Sequence, residues 1–120
     1  MRDEFRRDLY ASIQLAMAQR RIDFIPGAAD LGDFDATSTT IAVAPVGELG
    51  LMPETIARAL DRTFDKYWDE FVARRDGTKS WESYTPYELR AVGTMVRLGK
   101  RDRAQALLDW FFKDQRPPAW

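Results

Sequence analysis

Three aspartates and several hydroxyl side chains lie close together in D-L-G-D-F-D-A-T-S-T-T, which runs from Asp30 to Thr40. If this segment is extended, Asp33 and Asp35 lie on one side of it, and repulsion between two carboxylates raises the pKa of one of them. Such a pair suits general acid–base chemistry. A glycosidase needs two carboxyl groups about 5–5.5 Å apart for retention, or about 6.5–9.5 Å apart for inversion. Alternatively, the aspartates cap turns and accept hydrogen bonds from backbone amides.

The same aspartate spacing also resembles the start of a calcium-binding loop. Ser38, however, occupies the position of the turn glycine of an EF-hand, and Ala44 occupies that of the closing glutamate. We therefore expect no EF-hand here, and we predict no metal site and no cofactor.

A second candidate site is W-E-S-Y-T-P-Y-E-L-R, from Trp81 to Arg90. Sugars present apolar ring faces and a belt of hydroxyls, so sites that bind them combine aromatic rings with carboxylates and amides. The segment supplies these residue types at five positions, namely Trp81, Glu82, Tyr84, Tyr87 and Glu88. They are candidate ligand-binding residues.

The T-P-Y-E part of this segment also has a purely structural interpretation. Thr85 can cap a helix, Pro86 suits its first turn, and Glu88 stands three residues after Thr85, where it completes a capping box. The sequence leaves both interpretations of Glu88 open.

The composition excludes several kinds of chemistry. The chain has no histidine and no cysteine. Ser-His-Asp and Cys-His catalysis, thiolate chemistry and the common zinc sites are therefore excluded. Eighteen basic residues stand against nineteen acidic ones, so the chain lacks the basic surface that nucleic-acid binding requires.

The N-terminal segment M-R-D-E-F-R-R-D is too charged for a signal peptide. No apolar run approaches the roughly 20 residues that a membrane-spanning helix needs. We therefore expect a cytoplasmic protein with no membrane partner. This expectation would not hold if an upstream segment were missing from the sequence.

Apolar residues at helical spacing predict about four helices, over residues 3–21, 53–75, 86–98 and 101–114. The predicted buried positions of the helix over 53–75 are Ile56, Leu60, Phe64, Tyr67 and Phe71. Those of the helix over 86–98 are Leu89, Val92, Met95 and Val96. The helix over 101–114 contributes Trp110, Phe111 and Phe112. Residues 22–52 form a long structured loop between the first two helices, in which residues 39–44 fit either a strand or a short buried helix. The sequence thus predicts a single all-α domain over residues 1–120, built from antiparallel αα-hairpins.

The first motif, extended to D-L-G-D-F-D-A-T-S-T-T-I-A, and the run from Y-T-P-Y-E-L-R to R-P-P-A-W together resemble the C-terminal part of six-hairpin α/α-toroid, glucoamylase-like glycosidase proteins. The resemblance covers about residues 24–120 and consists of two motifs in the same order. It implies a ring of helical hairpins that binds carbohydrate where loops meet at one end, with acidic loop residues as catalysts. By motif, it implies Asp33, Asp35 and Glu88 as candidate catalytic residues, and Trp81, Tyr84 and Tyr87 as platforms for sugar rings.

A full toroid has more helices than the sequence of this chain predicts, so we expect the chain to form only part of the ring. The implied function is a portion of a carbohydrate-active protein that binds an oligosaccharide and is not catalytic alone. An incomplete ring exposes apolar helix faces, and this favours self-association, for instance as a two-fold dimer. The alternative is a small helical-repeat scaffold that binds itself or a protein partner through such faces. The substrate, the stereochemistry and whether the chain is a fragment stay open.

Overall fold

The computed structural model describes residues 1–80 and 86–114. This part of the chain contains no strand. Its helices are α1 (Arg2–Arg20), α2 (Ala36–Val43), α3 (Glu54–Arg75), a 3-10 helix (Pro86–Glu88), α4 (Leu89–Arg97) and α5 (Arg101–Asp114). The prediction of an all-α fold is therefore confirmed. None of these helices is both long and apolar enough to cross a membrane.

Helix α3 supplies the largest share of the core. Its predicted apolar stripe is buried along its whole length, comprising Ile56, Leu60, Phe64, Tyr67 and Phe71. These positions recur every three or four residues, so they form one face of the helix. The rings of Trp110 and Phe111 on α5 lie 6.2 and 6.3 Å from the ring of Phe71, between centroids. Aromatic contacts therefore join α3 to α5.

The segment predicted as a long loop, residues 22–52, contains helix α2, so residues 39–43 are helical and do not form a strand. The hydroxyl groups of Thr39 and Thr40 donate to the backbone carbonyls of Asp35 and Thr37. These bonds let two residues with high strand propensity stay in a buried helix. The helix ends at Val43, and the following residue, Ala44, is extended because it precedes Pro45.

The buried face of α4 differs from the predicted one. Leu89 and Val96 are 45% and 48% exposed, whereas Ala91, Thr94 and Met95 are buried. Helix α4 packs against both α5 and α2. Small side chains such as Ala91 allow this close approach, so the larger Leu89 and Val96 face outward. The prediction that they are core residues is wrong.

Phe112 is also wrongly predicted as a core residue, because its ring is 67% exposed. Neighbouring residues in a helix point about 100° apart. Since Phe111 takes the inward position on α5, the ring of Phe112 turns toward solvent.

A cluster of charged groups fixes the start of α5 against α3. The ammonium group of Lys100 lies 3.0 Å from a carboxylate oxygen of Asp61 and 2.8 Å from one of Asp65. Lys100 follows Gly99, whose φ of 77° ends α4 in a conformation that favours glycine. The connection between α4 and α5 is therefore short and is tied to α3.

Candidate functional site

Asp35 is the N-cap of α2. One of its carboxylate oxygens accepts hydrogen bonds from the Ser38 backbone N–H at 3.0 Å and from the Thr37 hydroxyl at 2.7 Å. The other oxygen accepts from the Ser38 hydroxyl. Partial burial would raise the pKa of Asp35, but the hydrogen bonds from Ser38 and Thr37 outweigh it and lower that pKa. Asp35 is therefore ionised at neutral pH and acts as an acceptor.

Asp33 lies two residues away but has a different environment. Its exposed carboxylate accepts from the backbone N–H of Ala28 at 2.9 Å, and its backbone carbonyl accepts from the N–H of Gly27 at 2.9 Å. A Cβ atom at Gly27 would lie 2.8 Å from both Asp33 and Asp35, so this turn requires glycine. Asp33 thus stabilises the loop that precedes α2.

Glu88 is buried at the start of α4, with 7% of the residue exposed. Its Oε1 accepts hydrogen bonds from the Arg74 guanidinium at 2.6 Å and from the Tyr67 hydroxyl at 3.4 Å. Thr85, its predicted capping partner, lies outside the described residues. The Glu88 side chain makes no cap hydrogen bond to its own helix. Its carboxylate joins the start of α4 to α3.

Asp35 and Glu88 line the same cavity, which has a volume of about 220 Å³. It lies between the start of α2, the second half of α3 and the start of α4. The lining residues are Phe34, Asp35, Ala36, Thr37, Tyr67, Glu70, Arg74, Lys79, Ser80 and Glu88. The structure therefore brings together two of the three candidate carboxylates, and Asp33 is not among the lining residues.

The cavity wall combines charges of both signs with neutral donors. Lys79 Nζ lies 3.3 Å from Glu70 Oε2, so these two charges are paired. Burial, followed by the nearby charge of Glu88, raises the pKa of Tyr67. The Tyr67 phenol therefore stays protonated and donates toward Glu88.

The candidate ligand-binding residues other than Glu88 are not found at this cavity among the described residues. Trp81, Glu82 and Tyr84 lie outside the described residues. Tyr87 is 57% exposed and faces the guanidinium of Arg90, whose central carbon lies 4.7 Å from the ring centroid. Tyr87 is not among the lining residues of the cavity.

The sequence does not identify Tyr67 and Arg74 as parts of the site. Their helical spacing nevertheless indicates that both side chains lie on the buried face of α3. Tyr67, Phe71 and Arg74 follow one another at helical spacing, so Arg74 lies on the buried face of α3. An arginine at such a position needs a carboxylate partner. Glu88 provides it.

A second, larger concavity lies between α1, α2 and the start of α3. It has a volume of about 610 Å³, and most of its wall is apolar. Five of its apolar side chains are more than two-fifths exposed, namely Phe5, Leu9, Ile41, Val46 and Leu51. We call this concavity the α1 groove.

A polar cluster holds one wall of the α1 groove in place. Glu48 accepts hydrogen bonds from Arg6 Nε at 2.7 Å and from the Tyr10 hydroxyl at 2.8 Å. Burial first, and then the hydrogen bond to Glu48, raise the pKa of Tyr10 to about 12. These contacts attach the loop after α2 to α1 and leave the apolar side chains of the groove open.

The described parts of the chain contain no group of three acidic side chains arranged to hold a metal ion. Comparison of the chain with protein-family models, with curated proteins and with solved structures finds no match.

Proposed function

We propose that the chain is a portion of a carbohydrate-active α/α-toroid protein, in which the Asp35–Glu88 cavity forms part of the carbohydrate site. The observation that carries the proposal is that Asp35 and Glu88, which belong to two separate motifs, line one cavity. Each residue stands at the start of a helix, and these helices, α2 and α4, are in contact. Helix starts that meet at one end are what the toroid architecture requires. In this proposal α4 and α5 form one hairpin of the ring.

The chemistry of the cavity supports binding rather than catalysis by this chain alone. Asp35 is held ionised by its hydrogen bonds, and Glu88 is paired with Arg74. A glycosidase needs one carboxyl group that is protonated at the working pH and can donate its proton. In the proposed ring, the proton donor comes from another part of the protein.

Calorimetric titration with a panel of neutral oligosaccharides tests this proposal. We expect measurable binding, which Glu88→Gln and Asp35→Asn each weaken about tenfold, as expected for loss of a hydrogen bond to a charged acceptor. Asn is a good N-cap residue, so Asp35→Asn should leave α2 folded. Asp33→Asn is the matched control and should bind as the parent protein does. No binding across the panel, or an equal loss in Asp33→Asn, would contradict the proposal.

The α1 groove favours a second candidate function, a helical scaffold that associates with itself or with a protein partner. An open apolar concavity of this kind on a soluble domain commonly marks an interaction surface. Phe5 and Leu9 lie one helical turn apart on α1, and Phe5 is 69% exposed. Apolar side chains spaced by four residues form a ridge against which another helix can pack.

For the scaffold function, we expect Leu9→Glu to shift the protein from an associated state to a monomer in sedimentation experiments. The charged side chain would have to be buried without a partner in the interface, which is strongly unfavourable. Leu15→Glu is the matched control. Leu15 lies on the same helix and is 58% exposed, but it does not line the groove. A parent protein that stays monomeric at high concentration would overturn self-association through the α1 groove.

A further inference from the structure

The α1 groove is long compared with its cross-section. Its lining residues on α1 run from Arg2 to Ile13, and a helix rises about 1.5 Å per residue, so the groove follows α1 for about 16 Å. Spread over that length, its volume of about 610 Å³ gives a mean cross-section of about 40 Å². An α-helix with its side chains is about 10–12 Å across, an area of about 80–110 Å². The groove therefore has room for an extended chain but not for an enclosed helix.

The polar side chains in the wall of the α1 groove already have partners within the chain. Glu48 accepts from two side chains of α1, as described above. The hydroxyl groups of Ser38 and Thr39 both donate to Asp35. An extended peptide carries a backbone N–H and a C=O that each need a partner when they are buried. The groove therefore favours a hydrocarbon chain over a peptide.

Arg2 lies at one end of the α1 groove, at the first turn of α1. Its side chain is 86% exposed, and its Nε lies 3.7 Å from a carboxylate oxygen of Asp3, which is exposed too. Exposed ion pairs contribute little, so Arg2 attracts an anionic head group only weakly. Selection by this groove therefore depends on the length of an apolar chain and not on the charge of its head group.

We propose that the α1 groove binds a free single-chain amphiphile. Its unbranched alkyl chain lies along the apolar wall, and its head group stays in water at the Arg2 end. The alkyl chain covers Phe5, Leu9 and Ile41, which are 69%, 44% and 45% exposed in the free protein. A volume of about 610 Å³ falls within the range of about 300–1,000 Å³ that is usual for small-molecule sites. This inference goes beyond the carbohydrate function and does not depend on the Asp35–Glu88 cavity.

Calorimetric titration of the full chain with 1-hexanol, 1-octanol and 1-decanol tests the proposal. These alcohols share an uncharged head group and differ only in the length of the alkyl chain. We expect the affinity to rise about fourfold with each added methylene, because each one removes a similar apolar area from water. Decanoate has the same number of carbons as 1-decanol and a charged head group. It should bind within about fivefold of 1-decanol, the range of an exposed ion pair.

Two variants locate the site on α1. Leu9→Glu brings a charge into the wall of the groove and should weaken the binding of 1-decanol by about tenfold or more, because an alkyl chain cannot solvate a carboxylate. Leu15→Glu adds the same charge to α1 outside the groove and should bind as the parent protein does. Circular dichroism checks that each variant is folded, and the comparison of chain lengths on the parent protein needs no variant.

Four results would overturn the proposal. Equal affinity for the three alcohols would show that the alkyl chain is not recognised, and an equal loss in Leu15→Glu would place the binding outside the groove. Binding to phosphatidylcholine vesicles but not to the free alcohols would identify a membrane surface as the occupant. If no alcohol binds and sedimentation shows that Leu9→Glu dissociates the parent protein, the occupant is a second copy of the chain.

Discussion

Replacing Phe71 by alanine is expected to lower the free energy of unfolding by about 3–5 kcal/mol, the usual range for a phenylalanine removed from a packed core. The ring is completely buried and lies between α3 and α5. It contacts the rings of Trp68, Trp110 and Phe111, with centroid distances of 5.4, 6.2 and 6.3 Å. Loss of the ring leaves a cavity where the two helices meet. Urea denaturation followed by circular dichroism measures the change.

Phe112→Ala is the matched control for this experiment. Phe112 belongs to α5 and is 67% exposed, so its removal should change the free energy of unfolding by less than about 0.5 kcal/mol. A domain is stable by only about 5–15 kcal/mol, so Phe71→Ala should also show a clearly lower melting temperature. Equal effects of the two variants would show that α3 and α5 are not packed as described.

Replacing Arg74 by alanine is expected to lower the free energy of unfolding by about 3 kcal/mol, because it leaves a buried carboxylate without its cation. The Arg74 side chain is 13% exposed and the Glu88 side chain 9% exposed, and their closest atoms are 2.6 Å apart. The pair joins the end of α3 to the start of α4, so its loss should loosen the wall of the cavity. Thermal and urea unfolding measure the effect.

Arg75→Ala is the neighbouring control. The Arg75 side chain is 38% exposed and pairs with Asp76 at the end of α3. An exposed pair of this kind contributes less than about 1 kcal/mol. In the Arg74→Ala background, Glu88→Gln should recover part of the lost stability, because it removes the uncompensated charge. If Glu88→Gln destabilises the Arg74→Ala protein further, the loss does not come from an unpaired carboxylate.

The sequence predicts the all-α fold and the buried face of α3 well, because a long amphipathic helix carries a strong periodic signal. It leaves α2 open, because this short helix lacks such a signal. In α3 the apolar positions from Ile56 to Phe71 give one unambiguous stripe. Helix α4 is shorter and packs on two other helices. Close packing there selects Ala91 and Thr94 for the buried face, and hydrophobicity alone ranks Leu89 and Val96 higher. Tertiary contacts therefore decide its orientation.

The candidate site is predictable only in part, for a similar reason. Residue type and motif single out Asp35 and Glu88 as candidates, but they do not show that the two residues line one cavity. That placement depends on how α2 and α4 meet. Arg74 was not predicted as a site residue, because an arginine near a helix C-terminus is usually solvent-exposed. Only its place on the same face as Tyr67 and Phe71 indicates that it points inward.

The decisive experiment is a two-dimensional ¹H–¹⁵N spectrum of the full chain, recorded while neutral oligosaccharides are added. If the Asp35–Glu88 cavity binds carbohydrate, we expect shift changes that concentrate at the start of α2, around Thr37, and at Glu88, with little change at Phe5, Leu9 and Ile41. Changes confined to the α1 groove, or no change with any sugar tested, would contradict carbohydrate binding at this cavity.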